Sequence, residues 1–556
     1  MILRLLLLSV AIPTACLGQL TTEQRLFDFD YLAARLAVSY APYEWKREFA
    51  KFDHYDTAPW RERIRNAKSD LEFYEISHEY IAALKDTHTT LYFPSDFYAF
   101  INLSVDIFDD KYLIESISRA SLPVATYPFA VGDEIVTIDG KTPAELTAWI
   151  SKFISSGNPR ATLRSAADYL FYRPQYDIPR AHELPAAASV QIRRRSGTVE
   201  TYELPWTKRG VPLTDASPLP PLLLSSKSRA MAAPTADQLL RRFQTKKAPR
   251  VPQRLLGFGE RNPIFTLPPG FIRRLGSLNS HFHYSGTYQS GGKRIGYLRF
   301  PDFDPPTSGA YTELANEITF LKANTDGLVI DITRNAGGIC YGQEALQLVI
   351  PKTFRGATDE IRPSLSDLQY WEYLKSNPFR DLEQWQINLM TSVYQQLAQA
   401  YSENRGRTGP LPVCSESIDV EPLRNRDGSL TAYDKPIVLL TDEFTISWGD
   451  TFAQIFADAK RGPLFGLRTN GAGGSVIFGE GGPYTESSLS YTTSLGVRAA
   501  PVAAPGYPVT AYYENVGIHP DIPYDMMTEE NLRNGYRPYV EAFTQAILAE
   551  INKAVN

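Results

Sequence analysis

Two short runs, Gly327-Leu-Val-Ile-Asp-Ile332 and Pro436-Ile-Val-Leu-Leu440, restrict this chain more than any other feature. Both are apolar at consecutive positions, so neither face of such a strand can meet water, as in a parallel sheet covered on both sides. Helical periodicity surrounds them. Leu314, Ile318 and Leu321 share one face of residues 311–322, and Phe452, Ile455, Phe456 and Ala459 share one face after the second run. Arg294-Ile-Gly-Tyr-Leu-Arg-Phe300 adds another strand. Strands and helices alternating in this way predict an α/β layered core.

A chain of 556 residues exceeds what one hydrophobic core supports, so several domains are expected. Residues 1–18 read as a signal peptide: Arg4 gives a positive start, residues 5–12 are apolar, and Ala15, Cys16 and Gly18 offer a small-residue cleavage site. Lipid attachment at Cys16 is a minor alternative that Pro13 disfavours. Residues 19–96 carry helical spacing and predict a helical N-terminal domain. Residues 97–207 switch to short strands, with a turn at Asp139-Gly140 and a hairpin around Ser196-Gly197, and predict a β-rich domain. Residues 208–280 are rich in proline and read as a linker or insertion. Residues 281–556 form the α/β core, interrupted by a helical insertion at about 366–405. No later segment has the roughly 18 uninterrupted apolar residues of a membrane span, and a net charge of −5 argues against nucleic acid as the main partner. A secreted or otherwise extracytoplasmic location follows from the leader. Cys340 and Cys414 remain after it, and one bridge or two free thiols are both open.

Four segments carry groups that chemistry could use. In Thr441-Asp-Glu-Phe-Thr-Ile-Ser447-Trp-Gly-Asp450 a serine stands where a strand gives way to a helix, the place where free N–H groups suit a developing oxyanion. The plainer reading is a serine N-cap, and Thr445 departs from the Gly-x-Ser-x-Gly elbow. Asn335-Ala-Gly337-Gly338 ends the other buried strand, and its glycines let amides approach a ligand oxygen; a simple tight turn would use the same residues. His88, in Lys85-Asp-Thr-His88, is one of seven histidines, and a lone histidine is usually structural. Glu514 precedes a turn in Tyr513-Glu-Asn-Val-Gly517 and would by default be solvated. His281 and His283 have no third ligand candidate, and His78-Glu79 lacks the second histidine of a zinc-peptidase helix, so neither a metal nor a cofactor is expected.

Taken together, these segments resemble the tail-specific, or C-terminal processing, serine peptidases. The shared motifs are Asp331 to Gly338, Thr445 to Asp450, the closing Gly517-Ile-His-Pro-Asp-Ile522, and Asp133-Glu-Ile-Val-Thr-Ile-Asp-Gly140, which is similar to the signature of that family's PDZ-like domain. The turn that carries a lysine base in the tail-specific branch is here Thr469-Asn-Gly-Ala-Gly-Gly474, without lysine. The pattern is closer to the tricorn-like branch, within it to the group of the chlamydial protease-like activity factor. That resemblance implies a helical domain and a PDZ-like domain ahead of a ClpP/crotonase-like α/β core. It implies Ser447 as nucleophile, His88 as base, Glu514 as its carboxylate, and an oxyanion hole from the amides of Gly337, Gly338 and Trp448. Histidine is the group best suited to activate a serine near neutral pH.

The expected function is therefore a secreted serine endopeptidase acting on proteins or peptides, with homodimerisation open. A non-catalytic ligand-binding protein on the same scaffold and a small-ester hydrolase are the rival readings. Residues 208–274 hold 13 Lys and Arg against 3 Asp and Glu. Their apolar patches, with Leu223, Leu224, Leu239, Leu240 and Phe243, suggest a segment that packs on the site and blocks it until cut, as the resemblance also implies.

Overall fold

The computed structural model describes residues 19–215, 256–376 and 382–555. The expected leader, Cys16 and most of the basic, proline-rich segment lie outside the described residues.

The centre is a seven-stranded sheet in the order Ile272–Leu275, Tyr284–Ser290, Lys293–Arg299, Gly327–Asp331, Ile437–Thr441, Leu464–Gly466, Ile522–Pro523. The first two pairings are antiparallel and the remaining four parallel. Successive side chains of the two central strands go to opposite faces. Leu328, Ile330, Ile437 and Leu439 enter one apolar cluster with the helices Gly309–Asn324, Tyr341–Gln347 and Trp448–Asp458. Val329, Val438 and Leu440 enter the other, beneath the helix Arg537–Val555 with its Tyr539, Phe543, Ile547 and Ile551. Both faces are thus covered, which is why the two runs are apolar throughout.

Ahead of this core, the sheet Leu103–Phe108, Lys111–Ile117, Glu134–Ile138, Ala187–Arg193 and Val199–Pro205 pairs in chain order, with the helices Pro143–Ile150 and Pro159–Asp168 alongside. Its interior is a separate cluster that includes Val105, Ile114, Ile135, Val190 and Ile192. The helices Thr22–Ser39, Tyr43–Phe49, Ala58–Asn66 and Asp70–Ala82 build the N-terminal part. A reciprocal capping box between Thr21 and Gln24 starts the first helix, and Ser69 caps the fourth. Their core does not close on itself. Leu489 and Tyr491, from far along the chain, complete it, and the strand Thr90–Tyr92 pairs with Ser487–Thr492. The expected insertion is the helix pair Leu365–Ser376 and Gln384–Ser402.

Candidate active site

The strands Gly327–Asp331 and Ile437–Thr441 are parallel neighbours, with Asp331 opposite Leu440, so the turns that follow them emerge side by side. The carboxyl ends of parallel strands are where open α/β sheets place ligands. Side-chain and backbone bonds lace the two turns together. Arg334 N donates to Asp442 Oδ1 at 2.8 Å, Thr445 Oγ1 to the Ile332 carbonyl at 2.9 Å, and Ile446 N to the Asn335 carbonyl at 3.1 Å. Asp331 anchors the base of the first turn, accepting from Arg299 at 2.9 Å, Tyr297 at 2.5 Å and both the amide and hydroxyl of Thr333 at 2.9 and 2.7 Å.

Ser447 occupies the N-cap position of the helix Trp448–Asp458, yet its side chain makes no capping bond and its backbone sits at φ 58°, ψ −120°. A non-glycine residue at positive φ is strained, and such strain gathers at functional corners. The capping reading of this serine is thereby removed. Gly337 faces it closely: a Cβ there would lie 2.5 Å from Ser447 Cβ and 3.0 Å from its Oγ. At Gly338 a Cβ would meet the Phe303 backbone at 2.2 Å. Both glycines have positive φ, so the turn needs them twice over, for conformation and for space. The Gly337 amide is already engaged, donating to Asn335 Oδ1 at 2.9 Å. Among the described residues, the amides of Gly338 and Trp448 carry no such bond.

His88 arrives from the other end of the chain, on the loop between the helix Asp70–Ala82 and the strand Thr90–Tyr92. The loop is fixed by Asp86, fully buried, which accepts from Tyr40 at 2.8 Å, Thr89 at 3.0 Å, Thr492 at 2.8 Å and the His88 amide at 2.9 Å. Thr87 Oγ1 donates to Asn470 Oδ1 at 2.6 Å, and the Asn470 amide donates to the Thr445 carbonyl at 3.0 Å, two residues before Ser447. Asp450 holds the same turn by accepting from the amides of Gly471 and Ala472 at 2.8 and 3.0 Å. So the lysine-free turn Thr469-Asn-Gly-Ala-Gly-Gly474 ties the His88 loop to the Ser447 loop. Burial lowers the His88 pKa below its ordinary value, with the Lys46 charge acting in the same direction; the Asp86 charge and the Gly474 backbone oppose them in part.

Glu514 is buried rather than solvated. Its Oε1 accepts from Lys46 Nζ at 2.5 Å, and neither oxygen bonds the His88 ring. Burial pushes Glu514 up to about 8, against the pull of Lys46 and with a further push from Asp86. Lys46, Asp86 and Asn515 are the site neighbours that sequence reasoning did not single out. Asp86 sits inside the quoted Lys-Asp-x-His segment, whereas nothing in the helix Tyr43–Phe49 marks Lys46 as anything but a surface cation.

Cys340, two residues after Gly338, is bridged to Cys414, which resolves the open question about these thiols. His283 is a satisfied core residue, bonded to Glu313 at 2.7 Å and Tyr341 at 2.8 Å. Among the described residues no group of three side chains could hold a metal ion.

A strained serine at a strand-to-helix corner, Gly337 packed against it and a histidine loop tied to the same turn are features a serine peptidase would need. Residues 294–524 match the model of peptidase family S41 and residues 98–212 that of a PDZ domain. A region matching a PDZ domain thus precedes one matching peptidase family S41; the protein is a serine peptidase, and its substrates are proteins or peptides. An uncharacterized protein of Chlamydia muridarum is 25% identical over 612 residues, covering 99% of this chain and 97% of its own length. A protein of Chlamydia trachomatis is 24% identical over 617 residues, with the same coverage of 99% and 97%. The crystal structure of mature CPAF superposes with a TM-score of 0.75 at 21% identity, covering 96% of this chain and 98% of that one. The fold is therefore shared over nearly the whole chain. No described helix is long and apolar enough to cross a membrane.

Proposed function

We propose that the protein is a secreted endopeptidase working through an acyl-enzyme on Ser447, with His88 as general base and Glu514 as the supporting carboxylate. Ser447 Oγ attacks the scissile carbonyl while His88 takes its proton. The tetrahedral oxyanion is held by the amides of Gly338 and Trp448, with Gly337 shaping the cradle and keeping its own amide on Asn335. His88 then protonates the leaving amine, and water releases the acyl group by the reverse transfers. Asp86 supplies the negative charge that the ring feels directly, and Glu514 adds its own once it ionises, near pH 8.

The uncapped, positive-φ backbone of Ser447 carries this reading, because a serine kept merely for capping would make its bond and relax. The test is fluorophosphonate labelling with a peptide substrate assay on wild type and Ser447→Ala. Labelling and turnover should both vanish in the variant while its melting temperature holds. An alanine variant that keeps most of its peptidase activity would end this mechanism. Secretion rests on residues 1–18 and is read by sequencing the amino terminus of the mature chain.

A further inference from the structure

Lys46 is among the largest fully buried side chains of the protein, 0% exposed. An ammonium has three N–H donors and no acceptor, and Lys46 Nζ meets three acceptors: the Lys85 carbonyl at 2.9 Å, Glu514 Oε1 at 2.5 Å and Asn515 Oδ1 at 2.7 Å. Every donor is used, and no lone pair is left to receive a proton. Although buried beside the catalytic groups, this lysine is not a base. Its acceptors come from two distant stretches. Lys85 is the last residue before the Asp86–His88 loop and has φ 50°, while Glu514 and Asn515 belong to the closing segment of the core. Asn515 adds its own link, donating from Nδ2 to the Lys85 carbonyl at 2.7 Å and accepting from Trp45 Nε1 at 3.0 Å.

We propose that Lys46 is a positioning residue, a buried ammonium that clamps the His88 loop to the Glu514 loop and sets the charge both groups work in. The inference rests on the Ser447–His88–Glu514 reading above. The charged and titratable groups around the clamp are Glu514 with Asp450 behind it on the core side, and Asp86, His88 and Tyr40 on the amino-terminal side. The Lys46 charge favours the neutral imidazole of His88 and the ionised forms of Asp86 and Glu514. Removing it should raise the pKa at which His88 becomes a base and leave Glu514 protonated over a wider range. A residue that merely filled space would lower the fraction of active protein without moving any titration.

The experiment compares full-length wild type, Lys46→Met, Lys46→Arg and Ser447→Ala by kcat/KM against pH, with active sites counted by fluorophosphonate. Lys46→Met should lose at least about tenfold in kcat/KM per labelled site, with its acidic limb moved to higher pH. Lys46→Arg, which keeps the charge and cannot act as a base, should return the limb towards wild type. If Lys46→Met does not fold, Lys46→Met/Glu514→Gln removes both members of the buried pair and is read against Glu514→Gln for the same upward shift. An unmoved limb in the methionine variants overturns the proposal, as does a folded Lys46→Arg that is inactive at every pH. Persisting activity in Ser447→Ala sinks the triad itself, whereas a dead Ser447→Ala with an unmoved Lys46→Met limb sinks the clamp alone.

Discussion

Burial lowers the His88 pKa and raises that of Glu514 to about 8, and the difference predicts a two-step pH dependence of activity. A general base must be neutral to accept the serine proton, so activity rises as pH passes its folded pKa. The His88 pKa is lowered, chiefly by burial, so the first rise in kcat/KM falls below the ordinary histidine value of 6.5. Glu514, raised to about 8, gains its charge later and should add a second, smaller rise there as it begins to offset the imidazolium. Glu514→Gln is expected to abolish the upper step and leave the lower one, displaced by no more than a fraction of a unit because coupled groups titrate as a pair. A single rise that survives the substitution unchanged would remove Glu514 from the mechanism. Ser447 and His88 were legible because each belongs to an ordered motif. Lys46 was not, since a lysine in an amphipathic helix looks the same in sequence whether it faces water or a buried carboxylate.

At the scale of elements, the parallel strands were readable because each central strand buries both faces, as Leu328 and Val329 show by entering different cores. The turns between strand and helix were readable as glycine motifs, but not the reason for the glycines. Gly337 is required by proximity to Ser447 and by φ 79°. Gly337→Ala should therefore lower kcat about 100-fold or more, the scale of a disturbed oxyanion cradle, while the left-handed backbone adds only about 1–2 kcal/mol of destabilisation. Parallel measurement of kcat and a denaturant midpoint separates the two, and a variant with normal kcat would show that the cradle does not depend on this close approach. The strand Thr90–Tyr92 could not have been placed from sequence, because its partner lies about 400 residues away at Ser487–Thr492. The Cys340–Cys414 bridge closes a 74-residue separation, worth up to about 4 kcal/mol in the chain-entropy picture. Because Cys340 lies only two residues after Gly338, Cys340→Ser/Cys414→Ser should lose kcat as well as thermal stability. Loss of stability alone, with kcat per labelled site unchanged, would confine the bridge to a structural role.

Across the whole molecule, the PDZ domain is fastened to the Gly337 and Ser447 turns by buried charge. Arg164, 1% exposed in its side chain, bonds Asp106 at 3.0 and 2.6 Å within the PDZ region and Glu443 at 2.9 Å on the nucleophile loop. Arg160 reaches the same Glu443 at 2.7 Å, and Arg334, beside Asn335, lies 3.8 Å from Glu115 and 3.9 Å from Asp442. Burial alone would raise the pKa of Glu443, but Arg164 and Arg160 hold it at about 2. Removing one partner from such a network leaves carboxylates buried without compensation, typically about 3–5 kcal/mol. Arg164→Met should therefore lower the denaturant midpoint substantially at pH 7 and reduce kcat/KM by loosening the nucleophile loop. The pH dependence has a definite sign. A carboxyl depressed in the folded state stabilises the fold above its unfolded pKa, near 4.5 for Glu443, and that contribution disappears as pH falls through its folded value of about 2. The stability gap between wild type and Arg164→Met should accordingly be largest at pH 7 and narrow as pH falls towards about 2. Arg164→Met/Asp106→Asn/Glu443→Gln, which withdraws the charges together, should recover much of the stability lost by the single variant, because no ion is left buried alone. A triple variant no more stable than Arg164→Met would mean that packing of the arginine stem, rather than charge compensation, joins the PDZ domain to these two turns.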